Sequence, residues 1–330
     1  MFTRMLHRFA LVLLAVWLTL TATTTHAASY TTRIRDIDYV RITEWAKWQG
    51  LQARWIKRDE TLALTNAAAK IQFEVSSREA RFNGLQLWLL HPLVSRGDDI
   101  YISQLDIDST FRPLLAAPRN DADKKVKVIC LDAGHGGKDP GNRAFGRQEK
   151  DYTLRLAAEL RTQLQKAGFK VVLTRSTDRY PELSERPALA RKAGADLFIS
   201  LHFNAASSGR DEARGSEVYS MTPVGAASTN ARGEGAGSGS YPGNRNNSKN
   251  LLLAYQIQKS LVKNLDSEDR GVRRARFEVL REATMPAALI EAGFLSHPAE
   301  GKKIFTEEYR RQMARAITEG IQSYKRVVER

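Results

Sequence analysis

The sequence predicts an α/β protein with a largely parallel twisted sheet flanked by helices, preceded by a small β-rich α+β domain. Beyond residue 125, short apolar runs with the length of buried strands alternate with longer segments of helical periodicity. Such alternation is typical of a parallel sheet whose crossover connections are helices. Before residue 118 the segments are shorter and alternate in polarity, which is typical of antiparallel strands. The polar stretch PRNDADKK over 118–125 predicts a linker between the two regions.

The chain opens with the features of a secretion signal over residues 1–27. Arg4 and Arg8 precede an apolar run over 9–20, and small and polar residues with a cleavage site follow it. The alternative is an uncleaved membrane anchor, but the apolar run is shorter than the roughly 20 residues that a spanning helix needs. We therefore expect export to the periplasm or cell envelope, with no integral membrane segment in the mature chain.

The composition narrows the class of partner. The formal net charge is +14, and removal of the signal takes away only two arginines and no acids. A strong positive charge favours polyanionic partners, which outside the cytoplasm means cell-wall glycan with its peptide carboxylates, or anionic lipid, rather than nucleic acid. The alternative is solubilising charge spread over the surface. The single cysteine, Cys130, excludes an intramolecular disulfide and lies in an apolar run, where it is expected to behave as a small hydrophobe.

The small domain is predicted over 28–117. We expect an amphipathic helix that ends at Gly50, a hairpin turn at Asn83-Gly84 and a second helical turn near Tyr101. Strands are expected near 51–56, 61–65, 71–75 and 85–90. This pattern resembles the small N-terminal domain first named from copper amine oxidases. His91 is its only histidine, so no metal site is expected there.

The second region, 126–330, has strong helical and strand patterns. Strands are expected near 126–131, 170–174, 197–201, 216–220, 277–280 and 287–291, and helices near 152–167, 184–193, 251–262 and 309–324. A stretch rich in Gly, Ser and Asn over 222–250 interrupts this order and predicts a long surface loop. Such a loop is either a lid or rim of a site, or a disordered insertion.

Two imidazoles and two carboxylates fall at the ends of these predicted elements. His135 and His202 each follow a strand, Glu291 ends one, and Glu149 begins a helix. The carboxyl ends of parallel strands meet at one edge of a sheet, where α/β proteins usually carry their chemistry. Two histidines and one carboxylate with an open coordination position form a catalytic zinc set, which leaves the second carboxylate free to act as a general base. Each residue alone has an ordinary structural explanation.

These residues lie in segments that resemble the zinc-dependent N-acetylmuramoyl-L-alanine amidases, the amidase-3 family of peptidoglycan hydrolases. The matching segments, in the order of the family, are DAGHGGKDPG (132–141), QEKDYTLRLA (148–157), VVLTRSTD (171–178), SERPALA (184–190), DLFISLHFNA (196–205) and MPAALIEAGFLSHP (285–298). The resemblance implies that 126–330 is a zinc amidase domain in which His135, Glu149 and His202 bind one zinc ion. It also implies that Glu291 is the catalytic carboxylate.

The resemblance further implies the substrate, which is peptidoglycan. The scissile bond is then the amide between the lactyl group of N-acetylmuramic acid and the L-alanine of the stem peptide. Asn204 is expected to hold a substrate carbonyl or acetamido group, and Arg175 and Arg186 to meet stem-peptide carboxylates, although each could instead make a structural hydrogen bond. The small domain is expected to position the protein on the wall without a part in the chemistry. No protein activator can be named from the sequence.

Two other functions are weighed against this one. A non-hydrolytic wall-binding or regulatory protein on an amidase scaffold would be expected to lose a ligand or Glu291, and all four residues are present. Another zinc hydrolase, such as a carboxypeptidase or a sugar deacetylase, is disfavoured by the order of the ligands and by the IEAGFLS segment. Analysis of the products would separate these activities.

Overall fold

The computed structural model of the protein describes residues 30–229, 234–237 and 239–330. The predicted secretion signal, 1–27, lies outside these residues. Below, the N-terminal region means 30–117 and the C-terminal region means the described residues from 126 onward.

The described strands and helices follow the predicted order in most places. The strands are β1 Thr31–Ile34, β2 Ile37–Arg41, β3 Gln52–Lys57, β4 Thr61–Thr65, β5 Lys70–Glu74, β6 Glu79–Phe82, β7 Leu85–Trp88, β8 Val94–Arg96, β9 Asp99–Ser103, β10 Val128–Ala133, β11 Arg143–Ala144, β12 Arg147–Gln148, β13 Lys170–Leu173, β14 Leu197–Asn204, β15 Ser216–Met221, β16 Asp269–Ala275 and β17 Ala287–Phe294. The helices are α1 Ile42–Trp48, α2 over 104–115 with a π-helical centre, α3 Glu149–Lys166, α4 Glu185–Lys192, α5 Asn247–Leu265 after a 3₁₀ turn at Pro242–Asn246, α6 Glu278–Arg281, α7 Pro298–Ile304 and α8 Glu307–Val328.

The main sheet has eleven strands within the described residues, in the order β13-β10-β14-β17-β15-β16-β7-β6-β5-β4-β3. Strands β13, β10, β14 and β17 are parallel, and β15 is antiparallel to β17. From β7 to β3 the strands form an antiparallel meander. The predicted α/β class, with a helix-flanked sheet and a β-rich N-terminal part, is confirmed. The eleven-stranded sheet as a whole is mixed, because the strands of the N-terminal part are antiparallel.

Helices cover both faces of the C-terminal part of the sheet. Helices α3, α5 and α8 lie on one face. Helix α3 packs against β10 and β14, α5 packs against β15, β16 and β17, and α8 packs against both helices. Helices α4 and α6 cover the other face, in a cluster that includes Cys130 and Phe198. Burial raises the pKa of the Cys130 thiol to about 12, which agrees with its expected role as a core residue.

The two regions share one sheet and one apolar core. Strand β7 of the N-terminal region pairs in parallel with β16, through Leu87 and Val272. Phe82 and Tyr255 pack edge to face, with ring centroids 5.7 Å apart, within a core cluster that includes residues of both regions. Residues 118–125 form no helix or strand. The division into two domains at this stretch stays a prediction, but the hydrogen-bonded sheet continues across it.

Three sequence predictions are corrected by the structure. Tyr101 lies in β9, and the following helix begins after Ser103, whose hydroxyl accepts a hydrogen bond from the Asp106 amide. The segment near 277–280, expected to be a strand, instead contains the short helix α6. The strand lies just before it in the chain, as β16. The predicted loop over 222–250 ends earlier than expected, since helical structure begins at Pro242.

Within the described residues, no helix combines the length and apolar character needed to cross a bilayer.

Candidate metal centre and substrate cavity

A cavity of about 770 Å³ opens where the strands β10, β14 and β17 approach their carboxyl ends. His135, Glu149, His202, Asn204 and Glu291 all line it. The structure therefore brings together the residues that the sequence analysis placed at the ends of predicted strands and at the start of a helix.

His135 is held in an unusual backbone conformation directly after β10. Its φ is +61°, within a loop in which Gly136 and Asp139 exchange backbone hydrogen bonds. Asp139 Oδ2 lies 2.7 Å from His135 Nδ1, so the other ring nitrogen, Nε2, faces Glu149. A carboxylate on the far nitrogen of a metal-binding histidine fixes its tautomer and orientation. The sequence analysis missed Asp139, although it lies within the same glycine-rich segment as His135.

Glu149 is the first residue of α3, and its side chain is only 1% exposed. Its Oε2 accepts a hydrogen bond from the Asn142 amide, and its Oε1 accepts one from the Phe203 amide. Burial opposes the charged form of Glu149, but the hydrogen bonds to His135 and His202 hold the pKa of this carboxyl well below its usual range. Glu149 is therefore a carboxylate at neutral pH.

The ligand atoms of His135, Glu149 and His202 all lie within 4.8 Å of one another. His135 Nε2 and His202 Nδ1 are 3.1 Å apart, and each is 3.1 Å from Glu149 Oε1. Two ring nitrogens and a buried carboxylate oxygen that face one another repel through their lone pairs unless protons or a metal cation lie between them. This donor set, two imidazoles and one carboxylate, fits a zinc ion with one open coordination position.

Two glycines make room for this cluster. A Cβ on Gly134 would lie 2.5 Å from His202 Nε2, and a Cβ on Gly141 would lie 2.6 Å from His135 Cδ2. Gly141 also has a φ of +64°, which glycine adopts without strain. Gly134 and Gly141 of the DAGHGGKDPG segment therefore allow close packing around the two histidines.

Glu291 lies on β17 next to the histidine–glutamate cluster. In the register of the sheet, Glu291 lies opposite His202 of β14 on one side and opposite Glu217 of β15 on the other. Its Oε2 is buried and has no hydrogen-bond partner among the described residues. Burial raises the pKa of Glu291 well above its usual value, and the charges of Glu149 and Glu217 raise it further. A raised pKa makes a carboxylate a stronger proton acceptor than an ordinary glutamate, which suits general acid–base catalysis.

Glu217 is a buried acid at this site that the sequence analysis missed. Its Oε1 accepts hydrogen bonds from Asn204 Nδ2 at 3.0 Å and from the Tyr219 hydroxyl at 2.9 Å. Its Oε2 forms ion pairs with Arg270 at 3.3 Å and Arg273 at 2.8 Å. A glutamate inside the otherwise apolar and hydroxylated strand SEVYSM was the signal in the sequence, because a buried charge needs partners. Asn204 lines the cavity, and its predicted contact with substrate stays a prediction.

The sequence left open either a substrate contact or a structural hydrogen bond for Arg175 and Arg186, and both have partners inside the protein. Both side chains are buried. Arg175 donates to the carbonyl groups of Ala133, Gly134 and Lys150.

Arg186 is paired with the buried carboxylate of Asp132 at 3.0 Å and donates to the carbonyl of His135. These guanidinium groups are occupied inside the protein and hold the loop that carries His135. This arrangement favours the structural alternative for both residues. Arg186 also lines the cavity, and the contact of Arg175 and Arg186 with stem-peptide carboxylates stays a prediction.

The described part of the 222–250 stretch does not line the cavity. Arg78 of the N-terminal region donates to the carbonyl groups of Ala227 and Ser228, and Arg276 donates to those of Ala226 and Gly235. The loop is thus tied to the protein beside β16, and the described residues give no support to a lid over the site.

The fold and the site together define an α/β protein with a candidate metal centre and an adjacent carboxyl group, the arrangement of a metal-dependent hydrolase. Residues 129–323 match the family described as N-acetylmuramoyl-L-alanine amidase, Amidase_3. This match covers more than half of the chain, and the chain belongs to that family.

Individual relatives agree with this assignment. The chain is 38% identical over 220 residues to the N-acetylmuramoyl-L-alanine amidase AmiC of Neisseria meningitidis serogroup B, with 60% of this chain and 52% of AmiC covered. It is 36% identical over 198 residues to the uncharacterized protein YqiI of Bacillus subtilis, with 60% of this chain and 84% of YqiI covered. The chain therefore spans about half the length of AmiC and most of YqiI.

A solved structure shares the fold of the C-terminal region. The catalytic domain of CwlV, an N-acetylmuramoyl-L-alanine amidase from Bacillus (Paenibacillus) polymyxa var. colistinus, matches with a TM-score of 0.51 and 31% sequence identity. The match covers 61% of this chain and 99% of the CwlV domain.

Proposed function

We propose that this protein is a zinc-dependent peptidoglycan hydrolase. It cleaves the amide between the lactyl group of N-acetylmuramic acid and the L-alanine of the stem peptide. One observation carries the proposal: the His135–Glu149–His202 cluster lies beside Glu291, a carboxyl group whose Oε2 is buried without a partner among the described residues. Membership in the amidase family supports this choice of bond.

His135 Nε2, Glu149 Oε1 and His202 Nδ1 are the atoms that would hold the zinc ion. When bound, such an ion supplies a Lewis acid that lowers the pKa of water and polarises a carbonyl group. Asp139 accepts the Nδ1 proton of His135 and so keeps the lone pair of Nε2 directed at the ligand position. Glu149 stays ionised and needs no proton release before it binds the metal.

Glu291 acts as the general base and then as the general acid. Its carboxylate accepts a proton from the water that attacks the amide carbonyl, and it returns that proton to the departing alanine nitrogen. The raised pKa of Glu291 favours the first step, because a more basic carboxylate accepts the proton of the attacking water more readily. Asn204 holds a carbonyl or acetamido oxygen of the substrate with the amide proton that Glu217 leaves free.

The proposal includes the location and partner of the protein. It is exported to the periplasm or cell envelope, and its excess of positive charge supports attraction to the peptide carboxylates of the wall. Binding of the full-length mature chain to purified sacculi should then weaken as salt rises, because exposed charges are screened over about 10 Å at 0.1 M.

The test is mass spectrometry of the products that the zinc-loaded mature chain releases from purified sacculi. Stem peptides that begin with L-alanine, together with glycan strands that have lost their peptides, are the expected products. Release of single C-terminal amino acids would instead identify a carboxypeptidase, and release of acetate a deacetylase. Binding without any product would identify a wall-binding protein. The Glu291→Gln variant is the control for contaminating hydrolases.

A further inference from the structure

Arg270 and Arg273 lie on the same side of β16 although they are three residues apart. Odd spacing in a regular strand places two side chains on opposite faces of the sheet. Here the register between β15 and β16 shifts, so that Ser216 pairs with Asp269 but Val218 pairs with Val272. This bulge contains Gly271 at a φ of +88°. The bulge turns both arginines toward Glu217 and the cavity.

The two guanidinium groups are not fully used by the protein. They share a single oxygen, Glu217 Oε2, so two cations face one carboxylate. Arg273 also donates to the Thr229 carbonyl, whereas the terminal amino groups of Arg270 have no acceptor among the described residues. The Arg270 side chain is 28% exposed and lines the cavity that contains Glu291. Arg270, Arg273 and Glu217 together therefore carry one net positive charge, and Arg270 keeps free donors.

The N-terminal region holds both arginines in place through Trp88. The Arg273 guanidinium lies over the Trp88 ring, 4.2 Å from the centroid. The Trp88 indole N–H donates to the carbonyl oxygen of Arg270 at 3.0 Å. A Cβ on Gly271 would lie 2.9 Å from the Gln86 carbonyl oxygen, so the bulge packs directly on β7.

We propose that Arg270 and Arg273 form a subsite that binds a carboxylate of the stem peptide, with Trp88 as its positioning residue. This inference rests on the proposed function, whose substrate has free carboxylates beyond the scissile amide. A guanidinium group pairs with a carboxylate through parallel N–H donors, and the single net charge matches a monoanion better than a dianion such as phosphate. The N-terminal region then contributes to substrate binding, because its Trp88 positions the two arginines of the subsite.

The experiment compares two soluble N-acetylmuramoyl peptides that differ only in whether the peptide carboxylates are free or amidated. The wild-type mature chain should show a KM about tenfold or more lower for the free acid, with similar kcat for both. Arg270→Gln and Arg273→Gln should each raise KM for the free acid by about 10- to 100-fold and leave KM for the amidated peptide nearly unchanged.

Variants of Trp88 test its positioning role. Trp88→Ala should reduce the preference for the free acid, and Trp88→Phe should keep most of it, because a phenyl ring still stacks on Arg273. Arg276→Gln is the matched control. This arginine comes directly after β16 in the chain, donates to loop carbonyl groups and does not line the cavity. Zinc content and far-ultraviolet circular dichroism confirm that each variant is folded.

Each outcome has a distinct meaning. Equal KM values of the wild-type chain for the two peptides would overturn the subsite. An equal fall of kcat on both peptides in the arginine variants would also overturn it, because the arginines would then only stabilise Glu217. If the wild-type chain released no stem peptides even from sacculi, the proposed function itself would be wrong.

Discussion

His202 and Glu291 occupy paired positions on the adjacent parallel strands β14 and β17. The candidate metal ligand and the candidate acid–base group are thus joined by the backbone ladder in the centre of the sheet. Central strands are among the most rigid parts of a domain. The distance between the two groups is therefore set by the sheet and does not depend on a mobile loop.

The first prediction concerns Glu291. Glu291→Gln keeps the shape of the side chain but cannot accept the proton of the attacking water, so kcat should fall by roughly 10²-fold or more. Zinc content should stay at the wild-type level. Glu308→Gln, an exposed change on α8, is the control and should leave kcat unchanged. Turnover by Glu291→Gln near the wild-type rate would mean that another group acts as the base.

The second prediction concerns the metal ligands. The purified chain should contain about one zinc per molecule by elemental analysis and lose activity when a chelator removes it. His202→Ala removes one of three ligands and should abolish stable zinc binding. His91→Ala, in the N-terminal region, should keep the zinc. Undiminished zinc in His202→Ala would contradict the ligand set.

The third prediction concerns the space around His202. Gly134→Ala needs no unusual φ, but its methyl group would overlap the His202 ring and displace that ligand. Zinc affinity should therefore fall by about 10-fold or more, in line with other disturbances of ligand orientation. Gly235→Ala is the matched control, because a Cβ there meets no atom of the described residues within 4 Å. Wild-type zinc affinity in Gly134→Ala would show that the histidine can move without loss.

The fourth prediction separates the positioning role of Arg186 from substrate binding. Arg186→Met leaves the buried Asp132 carboxylate without its cation, which should cost about 3–5 kcal/mol of unfolding free energy. Chemical denaturation measures this loss. Arg191→Met, an exposed change on the same helix, should cost little. A variant as stable as the wild type but with a raised KM would instead favour the prediction that Arg186 meets the substrate.

The fifth prediction is that the full-length chain unfolds in one transition. The tryptophans of the described residues all lie in the N-terminal region, so their fluorescence follows that region. Far-ultraviolet circular dichroism mainly follows the long helices α3, α5 and α8 of the C-terminal region. The two signals should change together, because one sheet and one core join the regions. Leu87→Ala should shift both by the same amount, about 2–5 kcal/mol. Two separate transitions would show that the regions are independent.

The sequence was sufficient to predict that His135, Glu149, His202 and Glu291 come together in the fold. His135, His202 and Glu291 follow or end apolar runs typical of buried strands, and parallel strands place such positions at one edge of a sheet. Glu149 begins the helix that packs beside them. The glycines around His135 marked a crowded loop. Patterns of this kind involve residues close together in the chain, so they can be read without knowledge of the tertiary contacts.

Strand β16 could not be predicted in the same way. Its sequence, DRGVRRA, has little apolar character, because Glu217, Trp88 and backbone carbonyl groups provide the partners of its arginines. Those partners come from distant parts of the chain. The buried state of Arg175 and Arg186 was hidden for the same reason, since a guanidinium group in a sequence carries no sign of whether carbonyl groups surround it.

The pairing of β7 with β16 has a consequence for how the protein folds. Gln86 and Asp269, which are hydrogen-bonded across this junction, are 183 positions apart in the chain. Contacts between such distant segments form late in folding, because closing a long loop costs chain entropy before the contacts can stabilise it. The contacts of the β16 arginines with Trp88 form only with this closure. A chain whose synthesis is still in progress therefore has an incomplete cavity, because β16 lies far along the chain and pairs with β7 near its beginning.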